Sequence, residues 1–219
     1  MAEARYGEAE LEASRTLAID EKELGPKSPK VATDLNNLAI IYEDQGRYQD
    51  GEPLLKRALE IDEKAEGLHS PQVAIRLNNL AELYADEGKY NEAERLLKQT
   101  LAIDRTTPGS DETAVASDFN NLSALFIKQK RYSEAEPFSQ RALEIDERGL
   151  GSNHPYVAID LNNLAVIYRE QGKYDKAEPM LKRALAIDER ALGPYHPDLA
   201  KDIANLAILH REKGDYGEA

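Results

Sequence analysis

Pairs of asparagines recur along this sequence at a spacing that suits a binding surface. They stand 42 residues apart, and the last unit keeps one member: Asn36-Asn37, Asn78-Asn79, Asn120-Asn121, Asn162-Asn163 and Asn205. A primary amide offers two N–H donors and a carbonyl acceptor without a net charge. A ladder of amides could therefore pair with the backbone of an extended peptide while other positions read its side chains. The sequence predicts peptide binding along this ladder.

A purely structural role for these asparagines is the alternative. Asparagine is unfavourable inside a helix, and its amide could bond to the backbone of a neighbouring repeat instead of a ligand. Buried amides usually need protein partners in any case. For the second asparagine of each pair the structural role and ligand contact stand as equal alternatives. For the first asparagine we predict ligand contact.

Side chains that could support catalysis occur without the arrangement that catalysis needs. His154 and His196 precede a proline in the same slot of successive repeats, which indicates capping or loop residues. His210 stands where another repeat has the aromatic Tyr42, and His69 falls in a predicted loop. Carboxylates recur in Ile-Asp-Glu triplets and are expected on a solvated helix face. No HExxH, glycine-rich phosphate loop or GxSxG motif is present. We therefore predict neither enzyme activity nor a cofactor or metal.

The asparagine pairs belong to a repeat that covers nearly the whole chain. Two columns show its period of 42 residues, one of tyrosine (Tyr6, Tyr48, Tyr90, Tyr132, Tyr174, Tyr216) and one of aspartate (Asp20, Asp62, Asp104, Asp146, Asp188). About 26 of 42 positions are identical between residues 30–71 and 156–197, which is far above chance for unrelated helices. One structural unit has been copied several times.

Each repeat is predicted to form two helices. In the first, helix A, apolar residues recur at steps of three and four along one face: Val31, Leu35, Leu38, Ala39 and Tyr42. Ser28-Pro29 predicts the start of this helix, because serine caps free amides and proline fits the first helical position. Gly46 predicts its end in a left-handed conformation. The third repeat has Lys130 at this position, where a side chain should strain the turn by roughly 1 kcal/mol.

The second helix, helix B, opens with a cap residue followed three positions later by glutamate. Asn91 with Glu94 and Ser133 with Glu136 show this pattern, which predicts a capping box. The stripe expected to be buried consists of Leu55, Ala58, Leu59 and Ile61. A single pair of such helices leaves apolar surface on both flanks, so the pairs must stack on one another. The sequence therefore predicts an α-solenoid.

These residues resemble the signature of the tetratricopeptide repeat. The match rests on Leu35, Leu38, Ala39, Tyr42, Gly46, Tyr48, Gly51 or its alanine counterparts, and Ala58. The period, the VA-x-x-LNNLA segment, the Gly-Lys-Tyr corner, EAEPLLKRALEID and the following G-x-x-HP are similar to the repeats of kinesin light chains. The resemblance implies an all-α fold, a right-handed α-solenoid superhelix of antiparallel helix pairs. It also implies that the A helices line a concave side.

Residues 1–219 are predicted to form a single array that begins and ends inside a repeat. We predict helix B of a partial repeat, four full repeats and helix A of another partial repeat: 1–28, 29–70, 71–112, 113–154, 155–196 and 197–219. Neither end offers a polar capping helix, so exposed terminal faces are expected to support end-to-end self-association.

Composition argues against several classes of function and partner. The formal net charge of −13 opposes binding to phosphate backbones, and no basic stripe is present, so nucleic acid is not an expected partner. No apolar run approaches the roughly 18 residues of a membrane helix, and the first residues show no signal-peptide pattern. A membrane is therefore not an expected partner either.

The absence of cysteine suits a reducing compartment, and a cytoplasmic location is expected.

The leading functional prediction is protein–protein interaction, with an extended peptide or partner segment in the concave groove that the resemblance implies. Beside the asparagines, four variable positions are predicted to contact it: Ile40, Glu43, Glu82 and Arg169. The acidic chain favours a neutral or basic segment. The alternative is a structural or self-assembling scaffold, or a sensor array within a larger multidomain signalling protein.

The cargo preference of kinesin light chains does not carry over to this chain. Those proteins bind acidic, tryptophan-containing peptides partly through basic residues of the groove. The corresponding row here contains a single base: Thr33, Ile75, Ser117, Ile159 and Lys201.

Overall fold

The structure is a computed structural model that describes residues 2–107, 112–197 and 199–214, with side chains from residue 6 onward. Ten helices account for most of these residues, and none of the described residues lies in a strand. The helices are α1 (Ala2–Leu24), α2 (Pro29–Asp44), α3 (Tyr48–Glu66), α4 (Pro71–Asp86), α5 (Tyr90–Thr106), α6 (Glu112–Lys128), α7 (Tyr132–Leu150), α8 (Pro155–Glu170), α9 (Tyr174–Leu192) and α10 (Leu199–Lys213). The all-α prediction is confirmed. Within the part of the chain described, no helix is long and apolar enough to cross a membrane.

The chain divides into two compact units, Met1–Ser110 and Asp111–Ala219. In the first unit, α2 packs against α3 and α4 against α5, while α1 covers α2 and α3 covers α4. In the second unit, α6 pairs with α7 and α8 with α9, while α7 covers α8 and α9 covers α10. The even-numbered helices are A helices and the odd-numbered ones are B helices. The six repeat boundaries proposed above remain predictions.

The A helices begin as the sequence predicts. Ser28 accepts a hydrogen bond from the Lys30 amide at 3.3 Å, and Ser70 accepts one from the Val73 amide at 3.2 Å. At the start of α8 the side chain of His154 takes this role, accepting from the backbone amide two residues later at 3.3 Å. The prediction that His154 is a capping residue is therefore confirmed.

The turn after each A helix needs a backbone of positive φ. Gly46, Gly88 and Gly172 have φ values of 70°, 83° and 72°, and Lys130 has a φ of 58° at the corresponding place in the third repeat. The backbone thus keeps the same turn even where glycine is missing. A side chain in this region carries a steric penalty that glycine does not.

Replacing Lys130 with glycine should stabilise the protein. The expected gain in the free energy of unfolding is about 0.5–1 kcal/mol, because the steric penalty disappears while glycine loses slightly more chain entropy. Urea denaturation followed by circular dichroism measures it. Gly172→Ala is the matched control, since no atom would contact the added Cβ and only the φ of 72° opposes it. That variant should lose a similar amount, and a Lys130→Gly variant no more stable than the wild type would contradict this account.

The predicted capping boxes of the B helices are wrong. The observed N-cap lies two residues before the predicted cap residue, and each helix begins at the tyrosine. The N-cap residues make no side-chain cap hydrogen bond: Arg47, Lys89, Arg131 and Lys173. Each basic side chain instead lies over the aromatic ring near the end of the preceding A helix, as Arg47 does over Tyr42 at 4.2 Å and Arg131 over Phe126 at 4.5 Å. The tight turn and this cation–π contact fix the start of the helix.

The core follows the predicted stripes and lies between helices. In the second unit one apolar cluster joins all five helices, with Phe126 from α6, Ala135 from α7, Leu164 from α8, Leu181 from α9 and Leu209 from α10. The alanines of the B helices are fully buried at Ala93, Ala135 and Ala177. Since small side chains let neighbouring helices approach closely, the stacked pairs are held mainly by these contacts.

Candidate functional site on the exposed face of the A helices

The A helices α2, α4, α6 and α8 each present a narrow stripe of exposed or half-buried residues. On α2 it consists of Thr33, Asn37, Ile40 and Asp44, spaced by four, three and four residues, and the residues between them are mostly buried. This spacing keeps the stripe on one face of the helix. Within the units, α2 contacts α4, α6 contacts α8 and α8 contacts α10, so neighbouring stripes lie side by side. We call this surface, in each unit, the A-helix face.

In two of the pairs the first asparagine accepts a hydrogen bond from the neighbouring repeat. The Asn79 side chain donates to Asn36 at 2.6 Å, and Asn205 donates to Asn162 in the same way at 3.1 Å. Asn36 and Asn162 are each only 5% exposed. The neighbouring A helix covers and bonds these two residues, which favours the structural role, and ligand contact by the first asparagine stays a prediction.

Asn78 and Asn120 are the other two first members, and both are half-buried. Asn120 accepts a hydrogen bond from Asn163 at 3.5 Å and donates to the Asp160 carboxylate at 2.5 Å. Asn162 has a similar second bond, to Asp202 at 2.6 Å. In the second unit the first asparagine therefore bonds to both an amide and a carboxylate of the following repeat.

The second asparagine is the member that reaches the surface. Asn37 and Asn121 are exposed and make no side-chain hydrogen bond within the described ranges, while Asn79, Asn163 and Asn205 are half-buried. Each of these last three donates one side-chain N–H to the first asparagine of the preceding repeat. Its carbonyl oxygen and its second N–H stay available for a ligand. The fully exposed amides of the asparagine pairs, those of Asn37 and Asn121, thus both belong to second asparagines.

Three of the predicted specificity positions meet in the first unit. A cavity of about 600 Å³ between α2 and α4 is lined by Ile40, Glu43 and Glu82, together with Asp44 and Asp86. Four carboxylates around one open cavity create a negative potential that attracts a cationic or N–H-rich group.

The fourth predicted specificity position, Arg169, lies in the second unit and is held by its own neighbours. Its guanidinium lies 2.6 Å from Glu170 and 3.6 Å from Glu212. The structure therefore does not offer it as an unengaged base.

A second cavity lies in the second unit, and sequence reasoning missed its central residues. It measures about 250 Å³ and is lined by Ser117, Asn120, Asn121, Asp146, Tyr156, Ile159 and Asp160. Asp146 belongs to an Ile-Asp-Glu triplet, which was expected on a solvated face. Asp146 is instead 4% exposed, and Asp62 in the corresponding triplet is 1% exposed. The sequence did contain a signal of this burial: aspartate stands at this position in every copy of the repeat. A solvated position would be expected to vary between copies.

Burial raises the pKa of the Asp160 carboxyl to about 7. The hydrogen bond from Asn120 lowers the pKa, whereas the nearby Asp146 raises it. A buried carboxylate faced by a second carboxylate is costly, and taking up a proton relieves this cost.

The pKa of Asp160 predicts a measurable dependence of stability on pH. An unfolded aspartate has a pKa of about 3.9, so between about pH 4 and pH 7 the folded chain holds a proton that the unfolded chain has lost. The free energy of unfolding should therefore fall as the pH rises through this window. Asp160→Asn should remove this contribution, which urea denaturation at several pH values would show. Wild-type and variant curves that run parallel from pH 4 to pH 7 would contradict it.

Two other carboxyl groups with shifted pKa values do not affect the comparison of the wild type with Asp160→Asn. Hydrogen bonds from Lys56 to Glu52 and from Lys182 to Glu178 lower both pKa values to about 2. Their contribution is lost only below about pH 4.5, and it is the same in both proteins. Among the described residues, no group of three or more His, Cys, Asp or Glu side chains is placed to hold a metal ion.

Comparison with known proteins places this arrangement among helical repeat proteins. The family model of the tetratricopeptide repeat matches residues 1–64, 35–106, 113–190 and 161–219. No curated protein matches the sequence.

Similar solved structures include BtubC (BKLC) from P. vanneervenii, with a TM-score of 0.76 and 25% identity over 99% of this chain and 84% of that chain. A Podospora anserina protein, described as a kinesin light chain with nearly identical TPR-like repeats, has a TM-score of 0.70 and 24% identity over 87% of this chain and 90% of that one. A Rap protein complexed with competence and sporulation factor has a TM-score of 0.64 and 19% identity over 87% of this chain and 61% of that chain.

Proposed function

This chain belongs to the tetratricopeptide repeat family, and on that premise we propose that it holds an extended segment of a partner protein on the A-helix face. Repeats of this family generally mediate interactions between proteins. The observation that carries the proposal is the row of second asparagines, which are exposed at Asn37 and Asn121 and half-buried at Asn79, Asn163 and Asn205. Their free donors and acceptors suit the backbone of a chain that has no internal hydrogen bonds.

The charges near this face support a neutral or basic partner segment. The cavity between α2 and α4 carries the carboxylates of Glu43, Asp44, Glu82 and Asp86. An acidic peptide would be repelled there, and such like-charge contacts strongly disfavour a partner. The similar Rap protein was solved with a bound factor, which supports the idea that a solenoid of this kind can serve as a receptor.

Substitution of the exposed asparagines tests the proposal. Peptides selected from a displayed random library on the wild-type chain would be measured again on an Asn37→Ala/Asn121→Ala variant. Neither side chain bonds elsewhere among the described residues, so the fold should be unchanged. Each lost hydrogen bond contributes about 0.5–1.5 kcal/mol, so we expect the affinity of a peptide on either unit to fall about 2- to 12-fold.

Asn91→Ala is the matched control for this experiment. Asn91 is an exposed asparagine of α5, outside the A-helix face, and its loss should leave the affinity unchanged. Unchanged binding by the double variant, measured by isothermal titration calorimetry with circular dichroism as a check on folding, would overturn the proposal.

A further inference from the structure

One contact between repeats occurs in three comparable copies inside the units, and in two of them the chain itself supplies a cation. The contact joins an aspartate of a B helix to the residue 14 positions later on the next A helix. In the first copy the Lys30 ammonium lies 3.3 Å from Asp20 and 2.7 Å from Asp34, so one lysine of the chain itself neutralises both carboxylates. In the later pair of Asp188 and Asp202, the position that corresponds to Lys30 lies outside the described residues.

The second copy uses an arginine for the same purpose. Arg76 replaces the second aspartate, and its Nε donates to Asp62 at 2.8 Å. The other end of the guanidinium donates to the Thr33 hydroxyl on the preceding A helix at 3.2 Å. Asp62 and Arg76 are both buried, so the carboxylate has its counter-ion inside the protein.

In the third copy no cation of the described residues lies beside Asp160, the counterpart of Asp34. Asp146 and Asp160 are 4% and 0% exposed, with Asp160 in the place of Arg76 and Tyr156 in the place of Lys30. One oxygen of Asp160 accepts from Asn120, whereas its Oδ2 accepts no hydrogen bond from any residue that the structure describes. The other charged residue near Asp160 is Glu147, whose carboxylate is paired with Arg183 at 2.6 Å.

An opening to solvent accompanies the missing cation. The cavity of about 250 Å³ lies over Asp146 and Asp160, and Ser117, Asn121 and Tyr156 at its edge are exposed. The Ser117 hydroxyl donates to the Thr113 carbonyl at 3.0 Å and keeps its lone pairs as acceptors. The volume is below the roughly 300 Å³ at which small-molecule sites begin, so a single side chain suits it better than a larger ligand.

We propose that this cavity binds a lysine or arginine side chain of the partner segment. The partner's cation would do here what Lys30 and Arg76, which belong to the chain itself, do in the other two copies. Carboxylate, amide and hydroxyl oxygens accept the several N–H donors of such a group. The Tyr156 ring at the edge adds a face that attracts cations. The inference rests on the proposed function, because it requires a segment lying on the A-helix face.

Filling the cavity from within the chain tests the inference. Tyr156→Lys should place an ammonium beside Asp146 and Asp160, as Lys30 does beside Asp20 and Asp34. Asp160→Arg should instead reproduce the pair of Arg76 and Asp62, with the Ser117 hydroxyl in the place of Thr33. Tyr156 is exposed, so the first variant should fold even where the second, at a buried position, does not.

The probe is a peptide selected from the displayed random library on the full wild-type chain, together with the same peptide in which one basic residue is replaced by alanine. On the wild type, alanine at the critical position should reduce the affinity at least tenfold. On Tyr156→Lys, both peptides should bind with the same weakened affinity, because the internal ammonium already fills the cavity.

The outcomes separate this inference from the proposed function. Selected peptides without a basic residue, or an alanine effect of equal size on the wild type and on Tyr156→Lys, would overturn the inference and leave binding on the A-helix face intact. Peptides unaffected by Asn37→Ala/Asn121→Ala, or a library that yields no binder, would overturn both.

Discussion

Replacing Arg76 with alanine should reduce the free energy of unfolding by about 3–5 kcal/mol. That range is typical when one partner of a buried ion pair is removed and the other charge stays in the interior. The Asp62 carboxylate is 1% exposed and would lose its hydrogen bond from the Arg76 guanidinium at 2.8 Å. The bond from Arg76 to Thr33, which connects α4 with α2, would be lost as well. Urea denaturation at pH 8 measures the loss.

Neutralising the remaining carboxyl is the control for this prediction. Adding Asp62→Asn to the Arg76→Ala background removes the buried charge and should restore much of the stability, because the charge and not the missing packing is the main penalty. Lowering the pH to 5 should also rescue Arg76→Ala partly, since an unpaired buried carboxyl takes up a proton more readily. A single variant that loses less than about 1 kcal/mol would contradict the account of this pair.

Replacing Leu164 with alanine should cost about 2–5 kcal/mol, the range observed when a buried leucine is truncated and its neighbours relax only partly. Leu164 is 2% exposed and lies in the apolar cluster that joins α6 to α10. Stacked helix pairs have no single deep core, so their stability depends on such shared clusters.

Ile159→Ala on the same helix is the matched control. Its side chain is 48% exposed, and truncation should change the stability by no more than about 0.5 kcal/mol. Denaturant titrations of both variants, followed by circular dichroism, give the comparison. A Leu164→Ala variant as stable as Ile159→Ala would show that this cluster does not hold the second unit together.

The features that sequence predicts well here are those set by neighbours along the chain. The start of α2 at Ser28-Pro29 and the positive φ of Gly46 depend on a few local residues, and their chemistry is strongly biased. The apolar spacing of the A helices likewise determines which face is buried. Even the replacement of glycine by Lys130 leaves the turn in place, since the flanking helices determine it.

The features that sequence could not supply depend on which residues of two repeats meet. Successive asparagines on a helix point in directions about 100° apart, and only the packing of α2 against α4 shows that Asn36 turns inward and Asn37 outward. The burial of Asp62 and Asp146 has the same origin, because each is covered by the A helix that follows.

The false capping boxes have a different origin. The local pattern of Ser133 followed by Glu136 is present, but the contact between Arg131 and Phe126 takes the place of the cap that this pattern suggests. That contact joins two helices across a turn, so the capping pattern by itself does not reveal it.

A crystal structure of the full chain with a library-selected peptide tests the central claim most directly. The account predicts an extended peptide on the A-helix face, with main-chain groups bonded to second-asparagine amides of at least one unit. A peptide seated on the B helices, or one on the A-helix face that leaves every one of these amides without a contact, would contradict it.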